Sequence, residues 1–165
     1  MNQYLLKVAE MVVSNDKSLP YRRRVEVAIF KDGKVLLTKN KDKKTGNDWY
    51  GFPGGGTDGD SDEVAARKEC LEEVGVALSD LKALDGLHTQ EGIGNKDGRA
   101  DRYRGSGTKM FVATYDGVDK SELGADGDPL RYVWKTPEEA EKLLKDNKVD
   151  STYRIKAMWA GAKKD

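Results

Sequence analysis

From Ser61 to Val74 the chain contains neither proline nor glycine, and this stretch is bracketed by Gly54-Gly55-Gly56 before it and Gly75 after it. The residues inside are good helix formers, Ser61 or Asp60 can cap the start, and Gly75 supplies the stop that a left-handed C-terminal residue provides. A helix here constrains everything around it, because its apolar side must be buried against another layer. Val64, Cys70, Leu71 and Val74 are read as members of that apolar side, anchoring the helix on a sheet.

Strands to supply the sheet follow from alternation and punctuation. Val25, Val27 and Ile29 alternate with Glu26 and Ala28, and Val35-Leu36-Leu37 resumes after Asp32-Gly33, which predicts a β-hairpin. Lys39 to Asp48 reads as a solvated loop, and Trp49-Tyr50-Gly51-Phe52 as a short strand ending at Pro53. Leu81 to Leu87, Met110 to Tyr115 and Arg131 to Trp134 read as further strands, with Glu91 to Gly107 an exposed loop. Thr136-Pro137-Glu138-Glu139 announces a helix, and another is expected from Ser151 to about Ala160. Residues 4 to 13 fit a helix or a strand equally well. No repeat is visible, so the expected architecture is α/β with mixed strand order, in one domain of 165 residues.

Charge and cysteine content bear on partners and compartment. Lys and Arg total 29, as do Asp and Glu, so a strongly basic nucleic-acid or membrane-surface protein is disfavoured and an anionic ligand must be met by local charge. Neither a membrane partner nor a specific nucleic-acid partner is expected. Cys70 stands alone and builds no disulfide framework; no apolar run reaches the ~20 residues of a membrane span. With no signal-peptide pattern at the start, the expected location is the cytoplasm.

Glu69, Glu72 and Glu73 fall at i, i+3 and i+4, on one face of the expected helix. Left alone they repel, and a hard divalent cation is the natural relief, since magnesium prefers oxygen ligands and retains waters that phosphate oxygens can replace. The preceding glycines offer a backbone able to turn sharply and bring N–H groups close to a phosphate. Two other readings compete. Asp58, Asp60, Asp62 and Glu69 partly match a calcium loop, but its sixth position is Glu63 where glycine is required, and no helix precedes it. A P-loop is excluded by the missing glycine-lysine pair.

Gly54, Asp60, Lys68-Glu69-Cys70, Glu72-Glu73 and Gly75-Val76, in that spacing, resemble the Nudix box, G-x5-E-x7-R-E-U-x-E-E-x-G-U with U a bulky apolar residue. Phe52-Pro53-Gly54-Gly55 is also similar to the lead-in of that family. Two positions depart from the pattern: Asp60 stands for glutamate and Lys68 for arginine. The family's arginine orients a neighbouring glutamate as a bidentate fork, for which lysine is a point-charge substitute. The resemblance implies an α/β/α sandwich with a mixed sheet. It also implies a pyrophosphohydrolase that uses Mg2+, with Mn2+ as a substitute, on a small-molecule nucleotide or related phosphoanhydride, by attack of a metal-activated water. Glu69, Glu72 and Glu73 would be the metal-binding and catalytic residues, and Gly54 and Gly55 would shape the substrate loop. The base could be Glu69 or, from outside the box, Glu91. A catalytically silent nucleotide-binding relative is the alternative.

Other residues admit a sharper and a plainer reading. Among Arg22, Arg23 and Arg24, strand alternation lets one or two reach a phosphate, with Arg24 the candidate, or leaves a basic edge in solvent. Arg99, Arg102 and Arg104, with Tyr103, suit either a phosphate-contacting lid or a solvated insertion. Cys70 reads as core, His88 as structural or exposed, and Trp49, Tyr50 and Trp134 as core or pocket wall.

Overall fold

The strand Tyr21–Lys31 (β1) buries Val25, Val27, Ala28 and Ile29 completely, so residues pointing to both of its faces are covered. A strand buried on both faces needs a layer on each side. The computed structural model describes residues 17–42, 44–92, 99–115, 132–147 and 150–162, and supplies both layers. Residues 4 to 13 and Arg131 lie outside the described residues.

On one face Val25, Val27 and Ile29 join Ala65, Ala66, Cys70 and Val74 of the helix Asp62–Val74 (α1). On the other, Ala28 and Phe30 join Ala140 and Leu144 of Pro137–Lys145 (α3) and Ala157 and Met158 of Thr152–Ala162 (α4). The architecture is therefore the expected α/β/α sandwich around a mixed sheet. A further helical stretch, Arg99–Arg102 (α2), is a single turn.

β1 forms a hairpin with Lys34–Lys41 (β2) through Asp32 and Gly33, whose φ values of 51° and 75° are those of a type I′ turn. Its other edge runs parallel to Gly105–Thr114 (β7) along its length, from Tyr21 against Gly105 to Phe30 against Thr114. The edge facing β2 is handed on to Gly54–Gly56 (β4), which pairs antiparallel with Arg24 to Glu26. Asp48–Gly51 (β3) and Tyr132–Lys135 (β8) pair with β2, and Ser79–Ala83 (β5) and His88–Glu91 (β6) pair with β7, all antiparallel.

Four expectations change. The Leu81 to Leu87 strand is two strands: β5 starts earlier and ends at Ala83 after a register irregularity, and β6 begins at His88. The Glu91 to Gly107 loop is shorter, because β7 starts at Gly105; a Cβ there would collide with the Gln90 carbonyl, so glycine permits close strand pairing at that position. The Lys39 to Asp48 loop also shrinks, since β2 runs to Lys41. Finally, Val64 and Leu71 are 47% and 57% exposed. They lie seven residues apart on the outer face, while Ala65, Ala66, Cys70 and Val74 face the sheet. The two alanines let the helix approach the sheet closely without the larger side chains.

Among the described residues no helix is long and apolar enough to cross a membrane.

Candidate active site

Three consecutive glycines make an intrinsically weak strand, because they contribute no side-chain packing and lose the most conformational freedom. β4 nevertheless pairs with β1, Gly54 against Glu26, Gly55 against Val25 and Gly56 against Arg24. Each position is occupied from outside where a Cβ would stand. At Gly54 it would meet the Val25 carbonyl and come 2.8 Å from Glu26 Cγ; at Gly55 it would be 2.7 Å from the Glu69 carboxyl carbon; at Gly56 it would collide with the Arg22 guanidinium. The glycines thus form a strand sandwiched between charged side chains, where a sharply turning loop was expected. The Gly54 N–H is also already engaged, donating to Glu73 Oε2 at 2.8 Å.

Helix α1 carries the glutamates to this strand. Ser61 caps it, its side chain accepting from the Val64 N–H, and Gly75 ends it with φ 67°. Asp60, the other cap candidate, instead accepts from Lys68 Nζ at 3.0 Å. The two residues that depart from the Nudix pattern are therefore partners of each other.

Glu69 lies half-buried against Gly55. Burial, then the negative charges of Glu72 and Asp58, push its carboxyl above the usual range, opposed by Arg24 and Lys68. Glu73 keeps an exposed surface, but protein atoms crowd its carboxyl and push its pKa up to about 7, against the pull of the Gly54 N–H. Glu72 is exposed. Among the described residues no three acidic, histidine or cysteine side chains form a ready-made metal cage. Mutually repelling, hard oxygen donors on one side of the strand nevertheless suit a cation that completes its shell with water and phosphate oxygens, as magnesium does.

The arginine run divides by alternation. Arg23 pairs with Asp62 on the α1 side. Arg22 and Arg24 point to the opposite face, Arg22 against Gly56 and Asp58, and Arg24 with Nη1 3.7 Å from Glu26 Oε2. Burial, then the nearby charges of Arg99 and Arg24, depress the Arg22 guanidinium. Arg22, Arg24 and Arg99 thus gather positive charge beside the glycine strand. Arg104 is committed elsewhere, bonded to Glu91 at 2.8 and 3.1 Å and stacked over Tyr21, and Arg102 lies over the Tyr103 ring. Glu91 also accepts from Tyr21, and these two partners hold its carboxyl below the usual range, which weakens it as a base.

Glu26 was not foreseen as part of this site. It is 1% exposed, with Arg154 Nε at 2.7 Å from Oε1, Arg154 Nη2 at 3.2 Å from Oε2 and the Tyr153 hydroxyl donating to Oε2 at 3.1 Å. An acid in an alternating strand ordinarily reads as solvent-facing, and its partners lie in α4, more than 120 residues away. His88 stacks on Tyr153 with ring centroids 3.8 Å apart. Cys70 is fully buried in the core, and that burial pushes its thiol pKa up. Tyr50 and Trp134 are partly buried against the core, whereas Trp49 is 40% exposed, its four-residue strand lying at the end of the sheet order.

Comparison with known proteins agrees with this fold. The RNA pyrophosphohydrolase of Gluconobacter oxydans (strain 621H) is 32% identical over 111 residues, which are 65% of this chain and 65% of that protein, just under two thirds of its length. The structure of a NUDIX hydrolase from Nitrosomonas europaea superposes with a TM-score of 0.63 at 20% identity, covering 86% of this chain and 90% of that one. An ADP compounds hydrolase superposes with a TM-score of 0.59 at 25% identity, covering 86% and 71%. The family model for the NUDIX domain matches residues 20–155, from the start of β1 into α4. That span contains the box, the glycine strand and all eight described strands, and the chain belongs to the NUDIX hydrolase family.

Proposed function

We propose that this chain is a single-domain pyrophosphohydrolase that cleaves a phosphoanhydride bond in a nucleoside triphosphate, or in a nucleoside diphosphate linked to another group. The observation that carries the reading is the seating of Glu69 and Glu73 on adjacent residues of one glycine strand, with Arg22 and Arg24 on its other side. Such a strand holds anionic oxygen donors and phosphate-binding cations within reach of one substrate chain.

Glu69, Glu72 and Glu73 would hold Mg2+, or Mn2+ in its stead. A cation bound there supplies polarisation of a phosphoryl oxygen and lowers the pKa of water. The protein's own groups do the rest. Arg24 binds a phosphate by charge-assisted hydrogen bonds, and Gly54 and Gly55, by lacking side chains, let Glu26 and Glu69 close on the strand that shapes the substrate site. The Gly54 N–H fixes the orientation of Glu73. Glu69 accepts the proton of the attacking water, and a diphosphate or phosphate oxygen departs.

The names of the similar proteins point to RNA and to ADP compounds as substrate classes, and the site chemistry serves both. The deciding experiment is hydrolysis of a panel of triphosphates, triphosphorylated RNA, nucleotide sugars and dinucleoside polyphosphates, with magnesium or with chelator, products identified by mass. Magnesium-dependent turnover is expected, and Glu72→Gln or Glu73→Gln should lower it by orders of magnitude while the fold persists. Nucleotide binding without turnover of any substrate would replace this reading with that of a silent binding protein, the alternative prompted by Asp60 and Lys68.

A further inference from the structure

The strand that carries the candidate site has no side chains with which to hold its own position. What lies beneath Gly54 is therefore decisive, and it is a buried charge. Glu26 sits directly across from Gly54 in the β1–β4 register, its Cγ 2.8 Å and its Cα 3.0 Å from where a Gly54 Cβ would stand. The carboxylate is tied down by three donors from one turn of α4: Nε and Nη2 of Arg154 and the hydroxyl of Tyr153. On the amide of the same glycine sits Glu73.

A bidentate arginine–carboxylate pair fixes both partners in angle as well as distance. It is a poor choice for stability alone, because taking two charges from water offsets most of their attraction, and apolar residues of similar volume commonly stabilise a core as well or better. The location of the pair gives it another use. We propose that Glu26, clamped by Arg154 and Tyr153, is a positioning residue: it forms the floor that fixes Gly54, so that the Gly54 N–H holds the Glu73 carboxylate in its working orientation. The C-terminal helix α4 thereby acts on the site through β1, without touching substrate. This inference rests on the reading of Glu73 as a working residue of the site.

The test uses the full chain with Arg154→Lys, which keeps the charge but loses the fork, and with the paired change Glu26→Leu and Arg154→Leu, which removes the buried charges together. Hydrogen exchange at the Gly54 amide, read by NMR in the absence of metal, should accelerate at least about tenfold relative to the Val27 amide in both variants. The kcat on whichever substrate the wild type turns over should fall at least about tenfold, with KM changed by no more than about twofold, since small misplacements of catalytic groups act mainly on the chemical step. Unchanged Gly54 exchange and unchanged kcat in the folded double variant overturn the proposal, as does failure of both variants to fold, which makes the pair a structural support only. If the wild type turns over nothing, the amide readout still decides whether the clamp exists, so that result counts against the proposed function alone.

Discussion

Lys68 Nζ meets Asp60 Oδ2 at 3.0 Å, joining the first residue of the box that departs from the family pattern to the second. Both are substantially exposed, at 58% and 37% of their side chains, so solvent and salt screen the pair. A double-mutant cycle with Asp60→Ala and Lys68→Ala should give nearly additive losses by denaturant unfolding, with the small remaining coupling shrinking further in molar salt. Lys68→Arg should preserve or raise turnover, because arginine keeps the charge and adds a fork that can also reach toward Glu72. A large loss of activity in that variant would show that the lysine does something an arginine at this position cannot.

The glycines of β4 should differ in what their replacement damages. A Cβ on Gly54 meets backbone, the Val25 carbonyl, which cannot swing aside. Gly54→Ala should therefore destabilise the protein by about 1–3 kcal/mol, the range of overpacked sites. At Gly55 the obstacle is the end of the Glu69 side chain, which can rotate away. Gly55→Ala should leave the unfolding midpoint nearly unchanged and lower turnover by displacing Glu69. Thermal unfolding and steady-state kinetics on the two variants separate these outcomes.

How far the sequence could be read depended on the range of the forces involved. Helix α1, its Gly75 end, the Asp32-Gly33 hairpin and the helix start at Thr136 arise from contacts within a few residues, and all were legible, while the choice of Ser61 over Asp60 as the α1 cap was left to the structure. The box spacing carried the family. What escaped was set by distant partners. Gly105 became strand because it pairs with Tyr21 on one side and Glu91 on the other, where the Gln90 carbonyl leaves no space for a Cβ, and Glu26 became a buried acid because Arg154 reaches it from α4. The rotation of α1 about its axis was misjudged for a different reason: the helix rests on Ala65 and Ala66, whose small size makes a weak apolar signal, while the larger Val64 and Leu71 face solvent.

That rotation is directly testable. Val64→Thr and Leu71→Gln should each change stability by no more than about 0.5 kcal/mol, as exposed substitutions generally do. Val74→Ala, at a position 6% exposed and packed on the sheet, should cost about 1–3 kcal/mol. Urea titrations of the three variants compare the two faces. A cost at Leu71 as large as that at Val74 would mean that the outer face is covered in solution.

Cys70 offers a second probe of the same helix. Its side chain is 0% exposed, packed with Val25, Val27 and Phe111, and burial pushes the thiol pKa up, away from the thiolate form that reacts. Disulfide reagents at pH 8 should therefore leave the native protein unmodified over the time in which the urea-unfolded chain reacts completely. Cys70→Ala, which removes one atom, should be tolerated, whereas Cys70→Leu should force α1 off the sheet at about 1–3 kcal/mol. Because Glu69 lies beside Cys70 on α1 and presses against Gly55, that displacement should also lower turnover, and Cys70→Leu should lose activity even under conditions where it remains folded.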